Sequence, residues 1–244
     1  MNESPAHLSN TTAVLIVAAG RGRRFGSETP KQYLPVAGVC ALRRCLETFL
    51  SLPEISLVQT VIHADDQGLY SHALQGVEDC RLLPATHGGE TRVQSVLNGL
   101  DALAGHAPDS RPAQVLVHDG ARAFVTPQIV RDVMAGLTEA QAAFAALPVV
   151  DALWRAEEGA AIAPVARDGL WRAQTPQGFH FDTLHRAHLS YVGDAADDVE
   201  IVRAMGTRVQ IVRGDPANFK ITTPDDLLRA ERFVAGEATQ GRGQ

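Results

Sequence analysis

Short apolar runs recur along the chain, separated by amphipathic stretches, and this alternation constrains the fold more than any other feature. Parallel strands need long crossover connections, usually helical, and those helices cover the sheet on both faces. The chain therefore reads as α/β, a mostly parallel sheet with helices on both faces. Strands are predicted at residues 12–18, 57–64, 80–83, 114–118, 142–147 and 207–213. In "ETRVQSVLNGLDAL", Val93, Val96, Leu97, Leu100 and Leu103 form one stripe at helical spacing. Thr126-Pro127 and Thr223-Pro224 each place a cap residue before a first-turn proline. Asp225 and Asp226 follow the second, on the positive end of the helix dipole.

Residues 148–172 break the rhythm. They hold Glu-Glu-Gly, Ala-Pro and Asp-Gly breaks and two tryptophans, with no sustained period of either kind. Long structureless loops are uncommon in compact domains, so this stretch reads as an extended hairpin arm reaching off the body, toward a partner subunit. The organisation is a flexible N-terminus at 1–11, a single domain over 12–235 carrying the arm, and a flexible tail at 236–244.

With 244 residues, 45% of them hydrophobic, the chain is long enough to bury its own core. Its net charge of −6 gives no global positive field for nucleic acid or anionic membrane, so an anion must be held by a local cluster. Cys40, Cys45 and Cys80 lack metal-ligand spacing and suit a reducing cytoplasm; no metal site is predicted from side chains. No signal h-region or membrane span is visible, and the expectation is a cytoplasmic protein.

The run Val14-Leu15-Ile16-Val17 leads into "AAGRGRRFGSETPK", residues 18–31, with three glycines, three arginines and a lysine in fourteen positions. Gly20, Gly22 and Gly26 give G-x-G-x-x-x-G, one residue off the dinucleotide fingerprint. Pro30 and Pro35 stand where that fingerprint needs a helix, so a long irregular loop is predicted instead. A Walker P-loop fails too, because no glycine here precedes Lys-Ser or Lys-Thr. The residue types fit a loop whose backbone N–H groups approach a ligand closely while Arg23, Arg24 and Lys31 converge on its charges. A solvated surface loop is the plain alternative. Its place at the carboxyl end of a buried strand favours ligand binding, with a nucleoside triphosphate as occupant. Of the 22 basic residues only Lys31 and Lys220 are lysine. An arginine-biased composition accounts for that, and so does selection of a compact point charge aimed at phosphate.

Five blocks, "AAGRGRRFGSETPKQYL", "GGETRVQSVLNGL", "VLVHDGARAFV", "DGLWRAQTPQGF" and "NFKITTPDDL", resemble in order and spacing the 2-C-methyl-D-erythritol 4-phosphate cytidylyltransferases of non-mevalonate isoprenoid synthesis. The resemblance covers about residues 12–234. It implies a Rossmann-like nucleotidyltransferase sheet, a homodimer joined by a protruding β-arm, and Mg²⁺ held mainly by the CTP phosphates. The implied reaction joins CTP and the polyol phosphate to give CDP-methylerythritol and pyrophosphate. By position, Arg24 and Lys31 match the pair that stabilises the transition state, and Arg167 and Lys220 the pair that grips the acceptor phosphate. Ala18, Ala19, Gly89, Glu90 and Ser95 match the cytosine pocket, with Gly20 beside the phosphates and Gly120 near the ribose. Asp119, Arg122 and Thr175 match acceptor-side contacts, and Arg167 is implied to serve the neighbouring subunit. Ala152 and Ala196 replace expected threonines, and Gly120 and Ala123 an alanine and a proline.

This chemistry needs no general base, because the attacking phosphate oxygen is already anionic; fixed cations lower the barrier. The nine histidines accordingly show no HExxH spacing, and no nucleophile elbow is present. His118 reads as a packed strand-end residue, and His185 and His188 as an exposed helix face. Two other functions remain open at this level: a ribitol 5-phosphate cytidylyltransferase, and a non-catalytic nucleotide-binding regulatory subunit.

Overall fold

The computed structural model describes residues 11–22, 25–106 and 111–240. In chain order the elements are β1 (Thr12–Ala18), β2 (Pro35–Val36), β3 (Val39–Cys40), α1 (Ala41–Leu50), β4 (Ile55–Ile62), α2 (Gln67–Ala73), β5 (Thr86–His87) and α3 (Arg92–His106). There follow β6 (Gln114–Asp119), α4 (Pro127–Gly136), β7 (Ala142–Pro148), β8 (Leu153–Glu157), β9 (Ala160–Val165), β10 (Trp171–His180), α5 (Phe181–Ser190), α6 (Asp198–Ala204), β11 (Val209–Arg213) and α7 (Pro224–Gln240).

A seven-stranded sheet in the order β11-β7-β10-β6-β1-β4-β5 forms the middle layer. Every pairing in it is parallel except those of β10, which runs antiparallel to both β6 and β7. In β1 the side chains alternate between two cores. Val14, Ile16 and Ala18 pack with Leu42, Leu46 and Phe49 of α1 and Ile129, Val130 and Val133 of α4. Ala13 and Leu15 pack with Val93, Val96 and Leu100 of α3, Leu184 of α5 and Ile201 of α6. Period-two alternation with both faces apolar is what a doubly covered strand requires. A third cluster, Phe124, Ile221 and Ala230 with Phe25, Phe219 and Phe233, seats α7 beside Phe25, in the middle of the glycine-rich loop.

Two strand expectations differ from the structure. Residues 80–83 make only an isolated parallel bridge, Val58 to Leu82, in which Val58 N donates to Arg81 O and Leu83 N to Val58 O. The edge strand forms later, at β5. β10 was invisible to apolar periodicity, since its sequence WRAQTPQGFH carries Pro176 and Gly178. The register against β7 shifts between Ala173 and Gln177, around the proline. At Gly178 a Cβ would lie 2.7 Å from Val133 Cγ1 and 3.0 Å from Leu116 Cδ2, so the glycine lets α4 approach the sheet.

The arm is present as an antiparallel hairpin of β8 and β9, separate from the main sheet. Its two-residue turn, Glu158 (φ 48) and Gly159 (φ 83), has the doubly positive backbone of a type I′ hairpin. α7 continues to Gln240, past residue 236 where the sequence expects the tail to begin. Residues 1–10 and 241–244 of the expected flexible ends lie outside the described residues.

Candidate active site

β1 and β6 lie side by side and end together, and a cleft of about 760 Å³ opens above their carboxyl ends. Its first wall is the loop leaving β1. The buried Gln32 turns its side chain back and donates Nε2 to Ala18 O at 2.6 Å and Gly20 O at 3.2 Å, which fixes the loop's start. The opposite wall is the turn into α3, held at close quarters. A Cβ on Gly88 would sit 2.5 Å from Ala19 Cβ and 2.7 Å from Ser95 Oγ, so only glycine lets these walls meet. Ser95 Oγ accepts from Gly89 N at 3.1 Å and donates to Thr91 O at 2.9 Å. Ala18, Ala19, Gly20, Gly89, Glu90 and Ser95 therefore line one half of the cleft, with Lys31 beside them.

The other half is organised around Asp119, the last residue of β6. Lys220 Nζ lies 3.0 Å and Arg122 Nε 3.5 Å from its Oδ2. Burial pushes the Asp119 carboxyl up, but Lys220, Arg92 and Arg122 outweigh it and hold the group well below the usual carboxylate range. Asp119 and Lys220 line the cleft.

Thr175, Arg122 and Gly120 are not among the residues that line the cleft, but Thr175 and Arg122 contact Asp119, which does, and Gly120 follows it in the chain. His118 is fully buried, and burial pushes its imidazole down to about 4, so the ring is neutral at ordinary pH. Its Nε2 faces Arg122 O at 3.2 Å and must donate, which leaves Nδ1 to accept from Thr175 Oγ1 at 3.0 Å. Thr175 Oγ1 in turn accepts from Asp119 N at 3.1 Å. The threonine hydroxyl is thus committed to the scaffold, and Arg122 is tied to Asn218 O at 2.8 Å. At Gly120 a Cβ would point at Ala18 Cβ and Leu42 Cδ1, both at 3.2 Å, toward the core rather than the cleft. Arg167 lies beyond β9, donates to Val150 O, and does not line the cleft of its own chain. Arg24 lies outside the described residues.

Arg21, Gln32, His63, Arg92 and Thr222 line the cleft without having been singled out from the sequence. Arg92 Nη2 lies 2.6 Å from Asp198 Oδ2, and Asp198 Oδ1 meets His188 Nε2 at 3.0 Å. His188 is therefore a buried partner and not part of an exposed helix face; His185 pairs with Asp101 at 2.7 Å. Arg92 and Asp198 are 106 residues apart, a pairing with no local sequence signal.

Cations around a cleft at the carboxyl ends of a mostly parallel sheet, with the buried His118 behind it held neutral, fit an α/β nucleotidyltransferase. The model of the IspD family, 2-C-methyl-D-erythritol 4-phosphate cytidylyltransferase, matches residues 12–236. The chain is 45% identical to the 2-C-methyl-D-erythritol 4-phosphate cytidylyltransferase of Cereibacter sphaeroides, over 92% of this chain and 97% of that protein. Among solved structures, the 2-C-methyl-D-erythritol 4-phosphate cytidylyltransferase of Thermus thermophilus is similar with a TM-score of 0.72 at 33% identity, covering 91% of this chain and 98% of that one. The 4-diphosphocytidyl-2C-methyl-D-erythritol synthase of Anaerococcus prevotii reaches a TM-score of 0.78 at 25% identity, over 93% and 99% of the two chains. The chain belongs to the 2-C-methyl-D-erythritol 4-phosphate cytidylyltransferase family.

Proposed function

We propose that the cleft joins CTP to 2-C-methyl-D-erythritol 4-phosphate. An acceptor phosphate oxygen attacks the α-phosphorus of CTP, the bond to the bridging oxygen of the β-phosphate breaks, and pyrophosphate leaves with the electron pair. The observation that carries this reading is the pair of lysines: the chain's only two, 189 positions apart (220 − 31), line one cleft in a protein of net charge −6. Two anions repel as they approach, and preorganised cations remove that repulsion without a proton transfer.

The wall formed by Ala18, Ala19, Gly20, Gly89, Glu90 and Ser95 takes the cytidine end, with Lys31 and Arg24 on the phosphates. Lys220 grips the acceptor phosphate, and Asp119 holds Lys220 in place and faces the acceptor. Arg122 and Thr175, both in contact with Asp119, belong to the acceptor side, and Gly120 lies near the ribose.

Among the described residues no group of three metal-ligating side chains converges. Glu90 and Asp119 are the carboxylates that line the cleft. That donor set fits Mg²⁺, which binds through one or two carboxylates and substrate phosphates. Asp119 would be the carboxylate nearest a Mg²⁺ held mainly by the CTP phosphates, and the ion would supply neutralisation of phosphate charge.

The arm completes the site in a homodimer. Trp154 is 59% and Ile162 54% exposed on it, an apolar surface that a second copy of the chain covers while Arg167 reaches the neighbouring cleft. Among the described residues no helix is long and apolar enough to cross a membrane. Incubating the protein with CTP, Mg²⁺ and either methylerythritol phosphate or ribitol 5-phosphate tests the assignment. Pyrophosphate is expected from the first acceptor; release from ribitol 5-phosphate alone, or from neither, refutes it.

A further inference from the structure

The glycine-rich loop is fastened to the body by a residue outside the roles assigned so far. Among its described residues, 19–22 and 25–30, Arg21 is the one whose side chain hydrogen-bonds another element. Its guanidinium reaches the short turn after β4. Nη1 donates to Asp66 Oδ1 at 2.8 Å, and Nη2 donates to Asp65 Oδ2 and to His63 Nδ1, each at 2.6 Å.

The three partners differ in weight. Asp65 is exposed, and exposed pairs contribute little. Asp66 is 1% exposed, its Oδ2 is buried without a hydrogen bond, and its one ion pair among the described residues is with Arg21. A buried carboxylate left without its cation is strongly destabilising, so this contact holds the loop. His63 sets the direction of approach. Its Nδ1 also receives Asp65 N at 3.2 Å, and with donors on both sides it must be the acceptor, leaving the ring proton on Nε2.

The next residue transmits the anchor. Gly22 has φ +58, and a Cβ there would lie 3.5 Å from Lys31 Cδ and 3.6 Å from Lys31 Cγ, so the lysine stem passes alongside Gly22, about one side-chain carbon away. We infer that Arg21, anchored by Asp66, is a positioning residue for the nucleotide half of the cleft, setting Lys31 through Gly22. This rests on the reading of the cleft as the CTP site.

Calorimetric titration of CTP with Mg²⁺ into the full-length protein tests both levels separately. Arg21→Ala is expected to weaken CTP binding about tenfold, with Arg21→Lys recovering part of the loss. Asp66→Asn should match Arg21→Ala, and the double variant should bind no more weakly than either single one, because both break one contact. In pyrophosphate release, KM for CTP should rise while KM for the acceptor stays within about twofold. If Asp66→Asn does not fold, Arg21→Ala and Arg21→Lys decide alone. CTP binding by Arg21→Ala within about twofold of the wild type overturns the inference, as does a double variant whose loss is the product of the single losses. Wild-type protein that fails to bind CTP refutes the reading of the cleft instead.

Discussion

The two halves of the cleft are built on different physical principles. The nucleotide half is a matter of backbone and space: Gly88 against Ala19, Gln32 on two carbonyls, Ser95 closing the turn into α3. It is closed within one chain, by neighbours close in sequence and by the segments leaving β1 and β5, two strands of the same sheet with β4 between them. The acceptor half is a matter of charge: Asp119 among Lys220, Arg122 and Arg92, with a neutral His118 and Thr175 bracing it from behind. Its fourth proposed cation, Arg167, sits on an arm that leaves the body. The strand β10 shows the boundary, since residues 174–179 are buried while 171–173 are exposed. A wall made by steric fit can be completed by one chain, whereas the charged half draws on several elements and, in the proposed dimer, on a second subunit.

The sharpest way to break this comparison is to remove charge. Lys31→Met or Arg24→Met should lower kcat by roughly 10² to 10³, the scale of losing one preorganised donor. Steady-state turnover that stays at the wild-type level in either variant removes that residue from the chemistry. Next in size is complementation across the dimer. Arg167→Ala and Lys31→Met chains are each expected to be nearly inactive alone, and mixing them should restore roughly a quarter of wild-type activity, one working site in each mixed dimer and half the dimers mixed. No recovery on mixing would place Arg167 within its own chain's site.

Asp119→Asn tests the charge network through stability. Discounting for the 37% exposure of Lys220, the variant should lose about 2–3 kcal/mol near pH 7, a fall in Tm of roughly 5–10 °C. The folded-state carboxyl is held below its ordinary value of about 3.9, so its contribution is present above that pH and lost as pH falls further. The Tm gap between wild type and variant should therefore close below about pH 4. A gap that is constant from pH 7 to pH 3 would show that the carboxylate's charge does not stabilise the fold.

The smallest effects separate the two kinds of wall. Gly88→Ala drives a Cβ to 2.5 Å from Ala19 and should cost about 1–2 kcal/mol while weakening CTP binding. Gly120→Ala meets its neighbours at 3.2 Å and should cost about 0.5 kcal/mol with CTP binding unchanged. Equal effects on nucleotide affinity would mean that Gly120 also faces the ligand.

Much of this was legible beforehand. β1, α4 and the irregular loop with its excluded motifs followed from apolar runs, a Thr-Pro cap and two misplaced prolines. The hairpin arm followed from an absence of period, and Ala18, Gly89, Ser95, Lys31, Asp119 and Lys220 were all placed at the cleft. β10 was not legible, because its proline and glycine are explained only by the bulge and by the helix packed on it. Nor were the hydrogen bond between Thr175 and His118, 57 residues apart, and the burial of His188 against Asp198, which depend on which strands and helices adjoin.

By itself the sequence determined the layered α/β class, the strand β1 and the cationic glycine loop that leaves it, because periodicity, caps and glycines act over a few neighbouring residues, while the remaining cleft residues were expected only from the family resemblance. The tertiary structure alone decided which cations converge, which side chains line the cleft, and that Arg21 is fastened to a buried acid 45 residues away. Those outcomes depend on burial and on contacts between distant segments, and neither quantity exists until the sheet has set the order of its strands.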